Sequence, residues 1–588
     1  MRHKSRFFLF PRCLLFFVFI TVSLCGCGSS KTSETEKFDL FLEDCFKEMV
    51  SDNTVSLHFK LSSPEKYGLS DSLPATFSDF SYEKQKADCK RSAELLETLN
   101  SFSSSELSEE QKLTRDIFKI KLEQNVASEK YILYQSLLGS DGLPSQIPVT
   151  LSEYYFNNEN DVKTYLSLMN QIPDVFERLL AYEEERRDAG MPCPDYLITD
   201  TLEQIDQFIS GTAEDNLLTE TFRERIQNVP EMSNDQKTTY IHNNRSLFEQ
   251  VVLPAYQSLS SSLEGWIGTG TKKERLCQYE NGQDYYRLLL LSRVGTNLSP
   301  EQCITVLEEQ LQGTVKNVSE LLGKYPNLSS DYLTAEPEYS EPKQIFDELK
   351  TSTLLDFPEL TDVDCNLKEV PSSLSGTSAS AFYLVPPIDS TDANVIYINN
   401  NRVNSRDMFS TLAHEGYPGH LYQTNYYQKM CNPVPLRSLL RTEGYDEGWG
   451  TYAQLYSYQF LNFKDTDEKN TEALRKLHQN NDLFSLSLSA LSDLYVNYKN
   501  YDRDTLEEYL KKYGITGESV SSIYQYVTEN PVSYLSYCMG YYEFMQLRTN
   551  MEEALGDSFD IKEFHRIVLD TGSCPFPLLK KELMKKCS

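Results

Sequence analysis

His414-Glu415-Gly416-Tyr417-Pro418-Gly419-His420 is the stretch on which the reading of this chain turns. It puts two imidazoles and a carboxylate within seven residues, in a chain of 588 that has only seven histidines. A catalytic zinc takes neutral imidazole nitrogen and carboxylate oxygen from three protein ligands and keeps a fourth position for water. It lowers the pKa of that water to about 7, and a carboxylate beside it then takes the proton. His414 and His420 suit the first role and Glu415 the second. A lone histidine is ordinarily a satisfied surface or core residue, but clustering of ligand-grade side chains around a turn-forming Pro-Gly favours metal binding.

The spacing constrains the backbone. Zinc motifs on a regular helix place their histidines at i and i+4. Six residues at about 100° each would leave the two rings roughly 120° apart around a helix. Pro418 removes an internal hydrogen bond and Gly419 tolerates unusual dihedrals, so a kink or loop within the heptapeptide is expected to bring His420 back to the metal.

Downstream, Glu443 and Glu447 lie four residues apart and share one face of an expected helix, so residue spacing leaves both open as the third ligand. The segment Glu447-Gly448-Trp449 resembles the glutamate helix of the gluzincin peptidases. That resemblance implies Glu447 as the ligand, with Glu443 as a carboxylate behind it that orients a ligating histidine.

More of the chain follows one pattern. Glu447-Gly448-Trp449-Gly450-Thr451-Tyr452, Ser536-Tyr537-Cys538-Met539-Gly540, Leu547-Arg548, Phe564-His565 and Gly572 to Leu578 occur in that order after the heptapeptide. Together they resemble the bacterial family called domain of unknown function 885, related to the gluzincin metallopeptidases, over about residues 375 to 588. Gly450 stands where that family often has alanine and Gln454 where it often has glutamate; neither is expected to touch the ligands. The resemblance implies Zn2+ on His414, His420 and Glu447, with Glu415 as general base. Tyr537 and His565 are the candidates for stabilising the oxyanion of the tetrahedral intermediate. Asn399, Tyr534 and Arg548 are the substrate-binding candidates. Arg548 would hold a substrate carboxylate by a bidentate pair, with a structural ion pair as its alternative.

Residues 379 to 386 and 394 to 399 are rich in Tyr, Val, Ile and Phe and bounded by Pro, Asp and Asn, which predicts strands. The second is expected to serve as an edge strand that pairs with an extended peptide, or else as part of a core hairpin.

At the N-terminus, Arg2, Lys4, Arg6 and Arg12 precede an apolar run from Leu14 to Leu24, which reads as a signal peptide over residues 1–26. Leu24-Cys25-Gly26-Cys27 resembles a bacterial lipobox and implies acylation of Cys27, with residues 27–36 as a tether. The run is short of the roughly 20 residues needed to span a bilayer, so the expected location is the extracytoplasmic face of the bacterial cell envelope, held by lipid. The net charge of -31, made more negative by loss of four basic residues with the signal, argues against nucleic acid as a partner. The remaining cysteines are scattered without the close pairs of a zinc ribbon or redox motif.

Apolar residues at three- and four-residue steps predict helices over 37–50, 84–135, 160–188, 213–263, 300–323 and 339–352. The expected architecture is mainly α, a gluzincin-like metallopeptidase with a small sheet beside the zinc helices. Residues 37–355 would wall a cleft and residues 356–588 would carry the metal. The expected function is peptide hydrolysis by a metal-activated water. The alternatives are an envelope-anchored binding protein without turnover, suggested by 38 tyrosines, and a zinc hydrolase of a non-peptide amide or ester.

Overall fold

The computed structural model describes residues 33–70, 74–139, 142–361, 363–370, 380–390, 394–402 and 407–587. The expected signal peptide, Cys27 and most of the tether lie outside them. The described chain is mainly helical, with one three-stranded sheet. Among the described residues no helix is long and apolar enough to cross a membrane, and the ten cysteines there are all free.

The long periodic runs resolve into shorter helices for local reasons. The run 84–135 is split into Tyr82–Ser101 and Glu109–Ser128 because Ser108 and Gln111 form a capping box that starts the second helix. The run 160–188 breaks at Gln171, where Pro173 begins a new helix in its first turn. Within 213–263, the Ser233–Gln236 capping box opens Asn234–Leu247.

Three large hydrophobic cores hold these helices. One lies wholly within residues 138–263. The other two take residues from both sides of position 355: Phe38 to Phe118 pack with residues beyond Phe409, and Tyr285 to Leu311 pack with Leu488 to Met539.

The sheet comprises β1 (Cys365–Glu369), β2 (Ala381–Leu384) and β3 (Asn394–Ile398) in the order β1-β3-β2. β3 runs parallel to β1 and antiparallel to β2. The expectation that 394–399 is an edge strand is therefore corrected: β3 is the central strand and both of its hydrogen-bonding edges are used. β1, Cys-Asn-Leu-Lys-Glu, alternates only at Cys365 and Leu367, too short a pattern to be read as a strand in the sequence. Among the described residues, the unpaired strand edge nearest the His414–His420 heptapeptide is that of β2.

Six helices position the site: α1 (Met408–Glu415), α2 (His420–Tyr426), α3 (Glu443–Ser457), α4 (Glu468–Asp493), α5 (Ser533–Leu555) and α6 (Ile561–Thr571). α3 and α5 meet backbone to backbone. A Cβ on Gly448 would lie 2.5 Å from the Gly540 backbone, and one on Gly540 would lie 2.2 Å from the Gly444 carbonyl oxygen. Only glycine allows this approach, and overpacking such a contact costs about 1–3 kcal/mol.

Gly540→Ala is therefore expected to lower the unfolding free energy by that amount, seen as a lower urea midpoint. Gly313→Ala provides the opposite sign: Gly313 lies inside the helix Pro300–Lys324, an added Cβ there meets nothing within 4 Å, and the gain should be up to about 1 kcal/mol. Equal effects of the two substitutions would contradict the close-contact account.

Candidate metal centre

The two histidines sit on different helices. α1 ends at Glu415, and α2 begins at His420 with Gly419 at its N-cap. The break expected from Pro418 and Gly419 is present. A Cβ on Gly419 would fall 1.7 Å from the His414 carbonyl oxygen, so the chain turns back on itself only because this residue is glycine. Trp449 of α3, fully buried, donates its indole N–H to the Pro418 carbonyl oxygen at 2.9 Å. That bond ties the turn between the histidines to the helix that carries Glu447.

The result is a small triangle of donor atoms. His414 Nε2 and His420 Nε2 are 3.1 Å apart; Glu447 Oε2 is 3.6 Å from the first and 3.4 Å from the second. Tetrahedral zinc with ligands at about 2.0–2.1 Å holds its ligand atoms about 3.3 Å apart. The donor set therefore fits that ion in both chemistry and spacing, and His414, His420 and Glu447 form the one such cluster among the described residues. Burial opposes ionisation of Glu447, but the interaction with His414 and His420 outweighs it and holds its pKa well below the ordinary value. Burial likewise opposes charge on His420, yet Glu447, with Glu415 and Asp446 behind it, raises its pKa.

Glu443 is excluded from the triangle. Its two carboxylate oxygens are taken by Arg293, at 2.7 and 2.8 Å. The role expected for it behind a ligating histidine belongs instead to Gln454. The Gln454 amide nitrogen donates to Asp482 Oδ2 at 2.8 Å, so its oxygen faces His414 Nδ1 at 3.2 Å and accepts from it. The proton is thus kept on Nδ1 and Nε2 is left bare toward the metal position. Gly450 is also in contact: a Cβ there would meet the His414 ring at 2.8 Å and the His420 ring at 3.0 Å. The expectation that these two positions avoid the ligands is corrected. They lie three and seven residues after Glu447, on its own helical face, a spacing that was legible in the sequence.

Glu415 lies beside the triangle, where its Oε2 accepts the backbone N–H of Tyr383 in β2 at 2.9 Å. No sequence signal points to that contact. Tyr537 stacks on the His414 ring, centroids 6.1 Å apart. Burial, and then the charges of Glu447 and other neighbours, raises the pKa of its phenol, which stays a proton donor. Tyr534, one turn earlier on α5, is half-buried against Tyr526, with ring centroids 4.8 Å apart.

The other candidates are placed elsewhere. His565 is fully buried on α6, with Nδ1 donating to the Asp356 carbonyl oxygen at 2.7 Å and Nε2 accepting from the Tyr452 hydroxyl at 2.8 Å. Its ring stacks on Phe357 at 3.9 Å. Both nitrogens are spent in the core, which corrects the expectation of a transition-state role. Arg548 pairs with Glu552 at 2.7 Å, eleven residues and about 16 Å along α5 from Tyr537, and is a structural ion pair. Asn399 is buried and closes the turn after β3, donating its N–H to the Ser380 carbonyl oxygen and accepting from Asn401 N–H on its side chain; it does not line an open edge.

Residues 65–583 match the family described as bacterial protein of unknown function, DUF885. No curated protein matches the chain. Among solved structures, the "putative lipoprotein from Colwellia psychrerythraea" is similar over 94% of this chain and 99% of its own, with a TM-score of 0.83 and 17% identity. A "putative lipoprotein of unknown function from Shewanella oneidensis" is similar over 94% and 100%, with a TM-score of 0.63 and 14% identity. At these identities the likeness is one of fold.

The buried histidines generate a pH prediction. Burial lowers the pKa of His565, and of His58, from 6.5 to about 3. Between those values the unfolded chain binds protons that the folded chain refuses, so stability falls on acidification by up to about 1.4 kcal/mol per pH unit for each residue. His565→Asn should be less stable at pH 7 but should decline less steeply from pH 6.5 to 4, as followed by chemical unfolding. Parallel slopes for variant and wild type would contradict the buried neutral assignment.

Proposed function

The chain belongs to the bacterial family of unknown function DUF885, and from that membership and the geometry of its donor triangle we propose that it is a zinc-dependent peptidase of gluzincin type. The observation that carries this reading is the set of 3.1, 3.4 and 3.6 Å separations among His414, His420 and Glu447, with Glu415 next to them. Zinc held there would supply a Lewis acid and an activated water.

The chain's own residues divide the remaining work. Glu415, fixed by the Tyr383 N–H, receives the proton of the attacking water and passes it to the leaving amine. Tyr537 donates its phenolic hydrogen to the oxyanion that develops on the substrate carbonyl. Gln454, anchored on Asp482, holds His414 in the tautomer and orientation that ligation needs. The strand suited to pair with an extended peptide is β2, since Tyr383 turns its backbone toward Glu415, and not the fully paired β3.

In this proposal residues 37–355 wall the cleft and residues 356–588 carry the metal. The N-terminal segment, through acylated Cys27, holds the enzyme on the extracytoplasmic face of the envelope; the description of both structural relatives as lipoproteins supports that location. The substrate is a peptide, and nucleic acid is not a partner.

Elemental analysis of the purified protein after zinc supplementation is the first test. About one zinc per chain is expected, with loss in Glu447→Ala and an affinity about 10–100-fold weaker in Gln454→Ala. On a peptide library, Glu415→Gln should keep zinc and lose about 10²–10⁴ in kcat, and Tyr537→Phe should keep zinc and lose about 10²–10³. Absence of retained zinc in the wild type sinks the proposal. Full retention of turnover by Glu415→Gln removes the base assignment, and metal binding with no turnover returns the protein to the binding-protein class.

A further inference from the structure

Beyond His420, Gln423 and Thr424 continue the same face of α2, three and four residues on. With Arg437, Arg441 and Asp446 they line a small recess of about 40 Å³, room for a carboxylate-sized group. Two of its polar side chains, Gln423 and Thr424, are not paired off within the described residues. Gln423 is 5% exposed, and neither its amide nitrogen nor its amide oxygen has a hydrogen-bond partner; the buried Thr424 hydroxyl is in the same state. Native interiors rarely keep a buried amide wholly unbonded. A buried amide beside a recess is satisfied when something polar reaches it.

Charge in the recess selects the sign of what enters. Arg437 is 4% exposed, and its guanidinium is bonded to two uncharged groups, the Ser573 and Thr571 carbonyl oxygens, at 3.0 and 2.9 Å. Arg441 spends its Nε on Asp446 at 2.8 Å, and among the described residues its two terminal nitrogens carry no hydrogen bond. Two arginines and one carboxylate thus line the recess, in a chain whose net charge is -31. Lys60 lies close enough for the charge of Arg441, after burial, to lower its pKa, which adds a third cation to the surroundings. The recess adjoins the donor triangle: Asp446 immediately precedes Glu447, and the charge of Glu447 acts on Arg441.

We propose that this recess is a subsite for a carboxylate of the substrate, received by the Gln423 amide N–H and the free end of the Arg441 guanidinium. The planar fork of arginine suits a carboxylate by two parallel bonds, and the amide supplies a further donor. The proposal rests on the peptidase reading and gives it a substrate class: peptides that carry an acidic group close to the cleaved bond. Both a C-terminal carboxylate and an aspartate or glutamate side chain present that chemistry.

Calorimetric binding to the zinc-loaded Glu415→Gln protein tests it without turnover. The probes are tetra-alanine, its C-terminal amide, and the same amide with glutamate at its third position. At least one acid should bind about tenfold tighter than the neutral amide, and which acid does so identifies the source of the carboxylate. Gln423→Met and Arg441→Gln, each added to that background, should bring the ratio toward one. Gln423→Met should also leave the melting temperature unchanged or raised, because it removes an unbonded buried amide; a structural role would lower it. Equal affinity for acid and amide, binding of neither, or a preference that survives both substitutions overturns the subsite. Zinc-dependent turnover without acid preference would overturn the subsite and leave the peptidase reading standing. Acid preference without turnover would do the reverse.

Discussion

The contact between α3 and α5 at Gly444, Gly448 and Gly540 is the constraint on which the rest of the site depends. Because an added Cβ at Gly448 or Gly540 would lie 2.2–2.5 Å from facing backbone, the two helices run closer than side-chain packing permits. Glu447 is next to Gly448, and Tyr537 is three residues before Gly540, so the contact that joins the helices also sets the glutamate against the tyrosine. Trp449, on the same turn, reaches across to the Pro418 carbonyl oxygen and fixes the loop between the histidines. One backbone approach therefore locates side chains from three separate segments. The arrangement gives the donor triangle rigidity from helices rather than from loops, which is what a site held to within a few tenths of an ångström requires.

The surroundings of His414 show a second consequence of that helix. Glu447, Gly450 and Gln454 occupy positions i, i+3 and i+7 of α3, so the ligand, the space for the imidazole rings and the group that orients one of them share one face. A carboxylate at 454 would put a full negative charge against His414. Here the amide stands between, and the charge belongs to Asp482 on α4, one residue further out. Burial raises the pKa of Asp482, while Tyr458 also donates to it, at 2.6 Å. The orientation of His414 is therefore set by a neutral group, which leaves Glu447 as the one anionic member of the triangle.

Much of the site was legible because the chemistry is local. Two histidines around Pro-Gly, with a glutamate between them, announce a ligand pair and a base, and the need for a backbone break follows from 100° per residue. The helices were legible as periodic runs, and their internal breaks lay in capping residues such as Ser108 and Ser233. What the sequence could not decide depends on partners far along the chain. Glu443 and Glu447 are equivalent by spacing, and Arg293, 150 residues upstream, takes the first of them. The run at 394–399 has the composition of a strand whether central or at an edge, and its place is set by β1, whose own residues do not read as a strand. His565 shares its helix with Phe564, Ile567 and Val568, all buried; that apolar company marks a core histidine more strongly than a motif match marks a catalytic one.

The polar groups left unbonded near the triangle bear on what the cleft is built to receive. A fold optimised only for stability would pair Gln423 with a neighbour or replace it by an apolar residue, and would give Arg437 a carboxylate. Neither is done, although the chain has 87 acidic residues against 56 basic ones and ready access to counter-charge. Stability and recognition pull in opposite directions at such positions, because a donor already satisfied inside the protein has less to offer a ligand. The groups proposed for catalysis show the same pattern in milder form: the Tyr537 phenol is kept protonated by burial, and Glu415 accepts the backbone N–H of Tyr383. Gln423 and Thr424 lie on the helical face that also carries His420, so the cost of leaving them unbonded falls where an incoming acidic group would recover it.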